Sequence, residues 1–171
     1  GSTGMPIETY HSRIEGRASR ALLLRSQLAH GIDYSADCLN LHGDDPKVAA
    51  WPEPKHVGPW GPRDWRRAGQ LWELNLLTPP DKAIAFLRER RFRYLSGLPT
   101  RVETLAYSAQ DMGVELAIDA IITRGQEVSA YQVKLFRDVF SARTISLYSS
   151  QEAGKLAHPC PECGVFHVNA E

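Results

Sequence analysis

Apolar residues recur at helical spacing over most of the chain. In residues 7–30 they recur every three, four or seven positions, which predicts an amphipathic helix that ends near Gly31. The same kind of spacing predicts further helices over residues 62–77, 81–96, 100–123 and 129–150. A short strand is expected only at residues 165–168. The pattern therefore predicts a mainly α protein, a small helical bundle.

Residues 32–62 interrupt this pattern. Five prolines and three glycines exclude a continuous helix or a central strand here. The segment nevertheless carries Trp51 and Trp60, and a flexible linker seldom contains tryptophan. We expect a long loop that packs on the core, or that uses Trp51 and Trp60 to bind a partner protein.

The composition is ordinary for a globular protein, with 43% hydrophobic and 23% charged residues. Residues 1–4 precede Met5 and are interpreted as a cloning scar, which leaves a helical domain over 5–157 and a C-terminal segment over 158–171. The sequence shows no apolar run of membrane-spanning length and no secretion signal. Three cysteines fit a reducing compartment better than a disulfide framework, so a cytoplasmic location is expected.

Cys160 and Cys163 form the clearest chemical motif. Two thiols three positions apart, with Pro161 between them and Gly164 after them, can point both sulfurs at one metal ion. Zinc is the expected cofactor, and His167 and His158 are the nearest candidates for the remaining ligands. Alternatively, Cys38 and His42 complete the site from the N-terminal loop, or a cysteine pair from each of two chains clasps a homodimer.

The stretch from Cys160 to Val168 resembles one knuckle of a zinc ribbon, although the second cysteine pair of a full ribbon is absent. The resemblance implies metal binding and leaves the fold open. A nucleobase deaminase is excluded because no histidine is followed by Glu two positions later. Redox chemistry is disfavoured because only eight residues follow Cys163, too few for the helix that activates such a thiol.

The charge distribution suggests an anionic partner. The net charge is zero, yet residues 63–101 hold nine Arg and Lys against four Asp and Glu. Arg side chains offer a planar fork of donors to phosphate oxygens, so a nucleic-acid-binding face is predicted. Its candidate residues are Arg63, Arg66, Arg67, Arg88, Arg90, Arg91 and Arg93. The alternative is a solvated helix face, or two oppositely charged halves that attract each other.

These patterns together predict a zinc-stapled regulator from a bacterium or phage that binds DNA, RNA or the transcription machinery. The alternative is a protein-interaction adaptor or assembly subunit in which zinc is purely structural. No phosphate-binding glycine loop, nucleophile elbow or metalloprotease motif occurs. The sequence therefore identifies no nucleophile or base and favours a non-enzymatic role, although missing motifs alone do not exclude an enzyme.

Overall fold

The protein has a mixed α/β architecture, so the prediction of a mainly α bundle is wrong. A computed structural model describes residues 10, 12–42, 54–62, 67–150 and 154–168. Within these residues a six-stranded sheet forms the centre of the molecule, and helices cover it. The helices are α1 (Arg13–Ala29), α2 (Pro80–Arg90), α3 (Pro99–Asp111) and α4 (Ala130–Phe140).

The central sheet has the strand order β2-β3-β1-β4-β5-β6. Only β2 is antiparallel to its neighbour; all other pairs are parallel. A smaller antiparallel sheet has the order β7-β8-β9. The strands are β1 (Cys38–His42), β2 (Lys55–Pro59), β3 (Gln70–Asn75), β4 (Tyr94–Gly97), β5 (Ala120–Thr123), β6 (Arg143–Ser146), β7 (Tyr148–Ser150), β8 (Gly154–Pro159) and β9 (Phe166–Val168).

The chain reverses its direction of travel across the sheet at β1. After β1 the chain forms β2 at the edge of the sheet and then β3, between β2 and β1. It then crosses through α2 to β4 on the other side of β1 and continues outward to β5 and β6. In open parallel sheets, ligands bind in the crevice outside the carboxyl ends of the strands near such a switch point. The topology therefore directs attention to the carboxyl edge of this sheet.

Two apolar clusters cover the opposite faces of the sheet. Leu39, Leu95 and Ile121 face α2, α3 and α4, whereas their neighbours Tyr94 and Ala120 face the side of α1. Successive residues of a strand point to opposite faces, so each strand contributes to both clusters. The sheet is thus buried on both sides, as parallel sheets usually are.

This burial explains why the strands were missed. A strand buried on both faces has a continuous apolar run, which periodicity alone cannot separate from a buried helix. The predicted helix over 62–77 is replaced by β3. The three predicted helices that follow it, over 81–96, 100–123 and 129–150, end early, and the apolar residues at their C-terminal ends form β4, β5 and β6. The short strand expected at 165–168 is confirmed as β9.

The starts of α2, α3 and α4 lie within one residue of the predicted positions, whereas α1 begins at Arg13 instead of residue 7. Ser12 caps α1 by accepting from the Glu15 backbone N–H at 3.1 Å, and the Glu15 carboxylate accepts from Ser12 N–H. Ser129 and Gln132 form the same reciprocal box at the start of α4. Such boxes satisfy backbone donors that the first helical turn leaves unpaired. Gly31 adopts a positive φ of 62° just beyond α1, as expected of a residue that terminates a helix.

Among the described helices, none is long and apolar enough to cross a bilayer.

Candidate functional site

A cleft of about 550 Å³ opens at the carboxyl ends of β5 and β6. One side is the turn after β5, residues 125–127, and the other is the segment 146–149 that leads from β6 into β7. The backbone N–H of Leu147 donates to Thr123 at 2.9 Å and holds the second segment against the end of β5. Gly125 makes the first turn possible because its φ is +78°.

The small sheet forms an apolar wall of this cleft. Ala157, Phe166 and Val168 line it from β8 and β9, together with Leu147 and Tyr148. The Tyr148 and Phe166 rings meet edge to face with centroids 6.4 Å apart. Both rings remain about half exposed, at 60% and 47%. The cleft thus offers aromatic surface that is accessible to a ligand, beside the polar side chains of Gln126, Glu127, Ser146 and Ser149.

Arg124 directly precedes the cleft residue Gly125, and its side chain is held across the sheet toward β1. Its guanidinium donates to the Asn40 side-chain oxygen at 3.1 Å, and the Asn40 amide donates to Glu73 at 3.4 Å. Asn40 is only 8% exposed, so this link is largely shielded from water. Arg124 forms no ion pair with a carboxylate in the described part of the chain. A buried amide therefore orients a cation whose charge is not neutralised there.

Lys155 of β8 adds a second positive charge. Burial lowers the pKa of its ammonium group, and the nearby Arg124 charge lowers it further. Lys155 and Ala157 are two residues apart on one strand, so both side chains point to the same face. Ala157 lines the cleft, and Arg124 directly precedes Gly125, which lines it too. Arg124 and Lys155 are therefore two neighbouring cations close to the lining but not part of it, and they favour an anionic group nearby.

The predicted zinc residues lie on the β8–β9 hairpin. His158 and His167 are direct cross-strand partners with ring centroids 5.8 Å apart, and the turn between them is closed by Cys160 N–H donating to Val165 at 2.7 Å. Nevertheless, no group of three or more His, Cys, Asp or Glu side chains in the described ranges is arranged to hold a metal ion. The assignment of Cys160, Cys163, His158 and His167 as zinc ligands therefore gains no support from the described residues and stays a prediction. Zinc as a cofactor stays a prediction, which metal analysis of the purified chain checks.

The alternative ligands do not join this hairpin in the described residues. Cys38 is 2% exposed within the central strand β1, where burial raises the pKa of its thiol to about 12. It is a buried apolar residue of the core, the common role of an isolated cysteine. His42 ends β1, and its side chain is outside the described residues.

The Cys160 thiol has a very different environment. Backbone N–H groups of Cys163 and Glu162 donate to its sulfur, and the side chains of His167 and Cys163 also interact with it. Together they lower the pKa of Cys160 to about 7. At neutral pH about half of this thiol is therefore the nucleophilic thiolate.

Alkylation by iodoacetamide in the presence of EDTA should separate these two cysteines. Cys160 should react with a rate that rises through pH 7, because the thiolate is present above its lowered pKa and lost below it. Cys38 should stay unmodified in the native state. Replacing His167 by Gln should move the pH midpoint of Cys160 alkylation upward. Mass spectrometry after quenching at each pH checks this, and a Cys160 midpoint above pH 8.5 would contradict it.

Most of the described arginines of the Arg-rich region lie around the C-terminal end of α2. Arg88 and Arg90 lie in the last turn of α2, Arg91 caps this helix in a left-handed conformation, and Arg93 follows it. They lie beside the amino end of β4, the edge opposite the cleft. Arg67 is exposed, whereas Arg63 and Arg66 lie outside the described residues.

Two of these arginines are engaged within the fold. The Arg90 guanidinium stacks 4.1 Å from the centre of the Trp72 ring. Arg93 donates to Asp119 at 2.7 Å and to Asp33 at 2.9 Å, and the Asp119 hydrogen bond is the main cause of its raised pKa. Both guanidinium groups therefore have partners within the fold.

Trp60 packs into the core. Its indole N–H donates to the Ala36 carbonyl at 2.8 Å, and its ring contacts Tyr34 and Tyr94 with centroids 4.8 and 5.7 Å away. These contacts support the packed-loop interpretation for this residue. Trp51 lies outside the described residues.

Sequence reasoning missed the cleft residues entirely. Arg124 and Gly125 follow the apolar run Ala120–Thr123, and Ser146 ends a similar run after Arg143. Polar and glycine residues directly after buried parallel strands often form a ligand site. That rule applies only to strands, whereas the helical spacing of apolar residues predicts helix for both of these apolar segments.

Comparison with known proteins gives information on the fold alone. No protein-family profile matches the chain, and no curated protein sequence matches it. Several solved structures have the same fold at low sequence identity.

These solved structures are larger enzymes. One is 2-hydroxyisobutyryl-CoA ligase in complex with 2-HIB-AMP and CoA, with a TM-score of 0.70, 11% identity, and coverage of 94% of this chain and 34% of that one. The luciferase-like enzyme of the mealworm Zophobas morio has a TM-score of 0.58 and 16% identity, covering 95% and 35%. A long-chain-fatty-acid-CoA ligase from Archaeoglobus fulgidus has a TM-score of 0.63 and 10% identity, covering 92% and 32%. The chain thus has the fold of about a third of an adenylate-forming enzyme, and these neighbours give no support to a DNA-binding or transcriptional regulator.

Proposed function

We propose that this chain is an adenylate-binding α/β domain of the adenylate-forming type and that it holds an acyl-adenylate in the cleft after β5 and β6. The observation that carries the proposal is the position of that cleft, at the carboxyl edge of a doubly wound sheet. The fold shared with acyl-CoA ligases supports it. This proposal replaces the regulator and adaptor hypotheses.

The walls of the cleft suit a planar base. The volume of about 550 Å³ falls within the range of small-molecule sites. Phe166 and Tyr148 offer exposed aromatic surface on which a purine ring can stack, and such stacking is worth about 1–3 kcal/mol per base. Ser146 and Gln126 offer hydrogen-bonding groups for the edge of the base.

The charges beside the cleft suit the phosphate. An acyl-adenylate carries one negative charge on its phosphoryl group. Arg124 is positioned by Asn40, and Lys155 contributes a second positive charge close to it. A bound phosphate would accept from both and relieve the repulsion between these two cations, which raises the pKa of Lys155 back toward its usual range.

The role of this chain is then to bind and orient the activated acyl group. In acyl activation a carboxylate oxygen attacks the α-phosphorus of ATP, pyrophosphate leaves, and the acyl-adenylate remains bound. The described residues supply stacking surface and positive charge for the adenylate half. A cytoplasmic location belongs to this proposal, because Cys38, Cys160 and Cys163 are all free thiols.

Isothermal titration calorimetry with a non-hydrolysable acyl-sulfamoyl adenosine tests this function. We expect saturable binding of this analogue, weaker binding of AMP, and no binding of the free acid at the same concentration. Phe166→Ala should weaken binding roughly tenfold because it removes an aromatic wall of the cleft. The matched control is Val165→Ala, one position earlier on the hairpin and outside the lining, which should bind like the parent chain.

Two results would contradict the proposal. One is an absence of binding at about 1 mM analogue, a concentration far above the dissociation constant expected of a formed site. The other is equal binding by the Phe166→Ala and parent chains.

A further inference from the structure

We propose a second ligand site at the carboxyl end of β3, in which Asn75, Thr78 and Arg101 bind a phosphoryl group. It lies on the same edge of the sheet as the cleft but at a different place. β3 is three strand positions from β5, which corresponds to roughly 14 Å. The inference goes beyond the proposed function and does not depend on it.

The three residues are connected through the turn that follows β3. Asn75 ends β3, and its backbone carbonyl accepts from Thr78 N–H at 3.0 Å. Its side-chain oxygen accepts from Leu77 N–H at 2.7 Å, which fixes the orientation of the amide. Arg101, in the first turn of α3, donates a guanidinium N–H to the Thr78 carbonyl. Strand β3, its turn and helix α3 therefore meet at Thr78.

Polar atoms of all three residues remain without a partner. Asn75 Nδ2, Thr78 Oγ1 and Arg101 Nε are buried and find no hydrogen-bond partner among the described residues. Asn75 and Thr78 are each only 4% exposed. An unsatisfied buried polar atom costs about 1–3 kcal/mol, so three of them around the turn after β3 indicate a site built for a ligand.

The chemistry of these atoms selects an anion with several acceptors. Nδ2 and Nε can only donate, and the Thr78 hydroxyl can donate as well. Arg101 has no carboxylate partner among the described residues, so its charge is available there. Burial also lowers the pKa of Arg101, as expected for a cation that lacks a counter-charge.

Two helix N-termini add to the positive potential. α2 begins at Pro80, two residues after Thr78, and α3 begins at Pro99, two residues before Arg101. Neither helix has a side-chain cap for its first-turn N–H groups. Helix N-termini attract phosphate through these donors and the helix dipole. A tetrahedral oxyanion, carried by a larger ligand or free, therefore fits the site better than a planar carboxylate.

Titration of the ¹⁵N-labelled chain with inorganic phosphate tests the proposal by NMR. We expect saturable shifts of the Arg101 Nε–H and Asn75 side-chain amide signals, with acetate clearly weaker. A parallel titration uses glycerol 3-phosphate. If it binds more tightly than inorganic phosphate, the ligand is a phosphate ester; if it binds more weakly, the ligand is the free ion. Arg101→Gln should weaken phosphate binding roughly tenfold or more, because a charge-assisted hydrogen bond is lost. The matched control is Arg88→Gln, at the far end of α2, which should leave the affinity unchanged.

Thr78→Val separates a ligand-binding role from a structural one. This substitution replaces an unsatisfied buried hydroxyl by a methyl group of the same shape, so the melting temperature should stay equal or rise while phosphate affinity falls. Lack of any shift at about 20 mM phosphate would overturn the proposal, as would acetate binding as tightly as phosphate. Equal affinities of the parent, Arg101→Gln and Thr78→Val chains would overturn it too.

Discussion

Gly69→Ala is expected to destabilise the protein by about 3 kcal/mol, the upper range for forcing atoms into a packed interior. A Cβ at residue 69 would lie 2.1 Å from the Ala36 carbonyl oxygen, and backbone cannot move away as a flexible side chain can. Gly69 N–H also donates to the Tyr34 carbonyl at 2.7 Å, and the Gly69 carbonyl accepts from Trp60 N–H at 3.2 Å. The substitution therefore disturbs the start of β3 together with two packed loops.

Urea unfolding of both chains measures this effect, with Gly16→Ala as the matched control. Gly16 lies within α1 and its Cβ would meet nothing within 4 Å, so alanine should be neutral or stabilise by about 0.5–1 kcal/mol. Equal stabilities of the Gly69→Ala and parent chains would mean that the loop at Ala36 does not approach β3 as described.

Arg124→Glu is expected to weaken binding of the acyl-adenylate analogue by roughly a hundredfold. The change removes the donor that Asn40 orients and puts a negative charge where the phosphate is proposed to lie. It should also raise the pKa of Lys155, because a repelling neighbour becomes an attracting one. Calorimetry at two salt concentrations measures the loss of affinity. The affinity of the variant should also depend less on salt than that of the parent chain.

Arg143→Glu is the control for charge reversal. Arg143 is exposed at the start of β6, the opposite end of the sheet from the cleft, so its reversal should leave the affinity nearly unchanged. If both reversals weaken binding equally, the effect comes from net charge and the assignment of Arg124 is wrong.

The sequence allowed the starts of α2, α3 and α4 to be predicted, because their determinants are local. The Ser129–Gln132 box and the proline at the start of α2 lie within a few residues of the turns that they stabilise. The ends of the helices and the strands after them depend on packing between distant segments. Leu95 and Ile121, for example, are neighbours in the sheet although 26 residues separate them along the chain. Helical periodicity does not contain that information.

The site was unpredictable for the same reason. The cleft joins the turn after β5 to β9, and Asn40 reaches Arg124 across 84 residues. The Cys160–Cys163 motif, in contrast, can be recognised in the sequence because its spacing lies within one short segment. The structure confirms a tight turn at this motif, whereas metal binding there stays a prediction. Short-range motifs are thus easier to see than sites assembled by topology.

A crystal structure of the chain grown with the acyl-sulfamoyl adenosine tests the central claim most directly. The account predicts that the adenine lies against Phe166 and Tyr148, between residues 125–127 and 146–149, and that the sulfamoyl group lies beside Arg124 and Lys155. Analogue bound elsewhere on the chain, or a cleft that stays empty at saturating analogue, would contradict it.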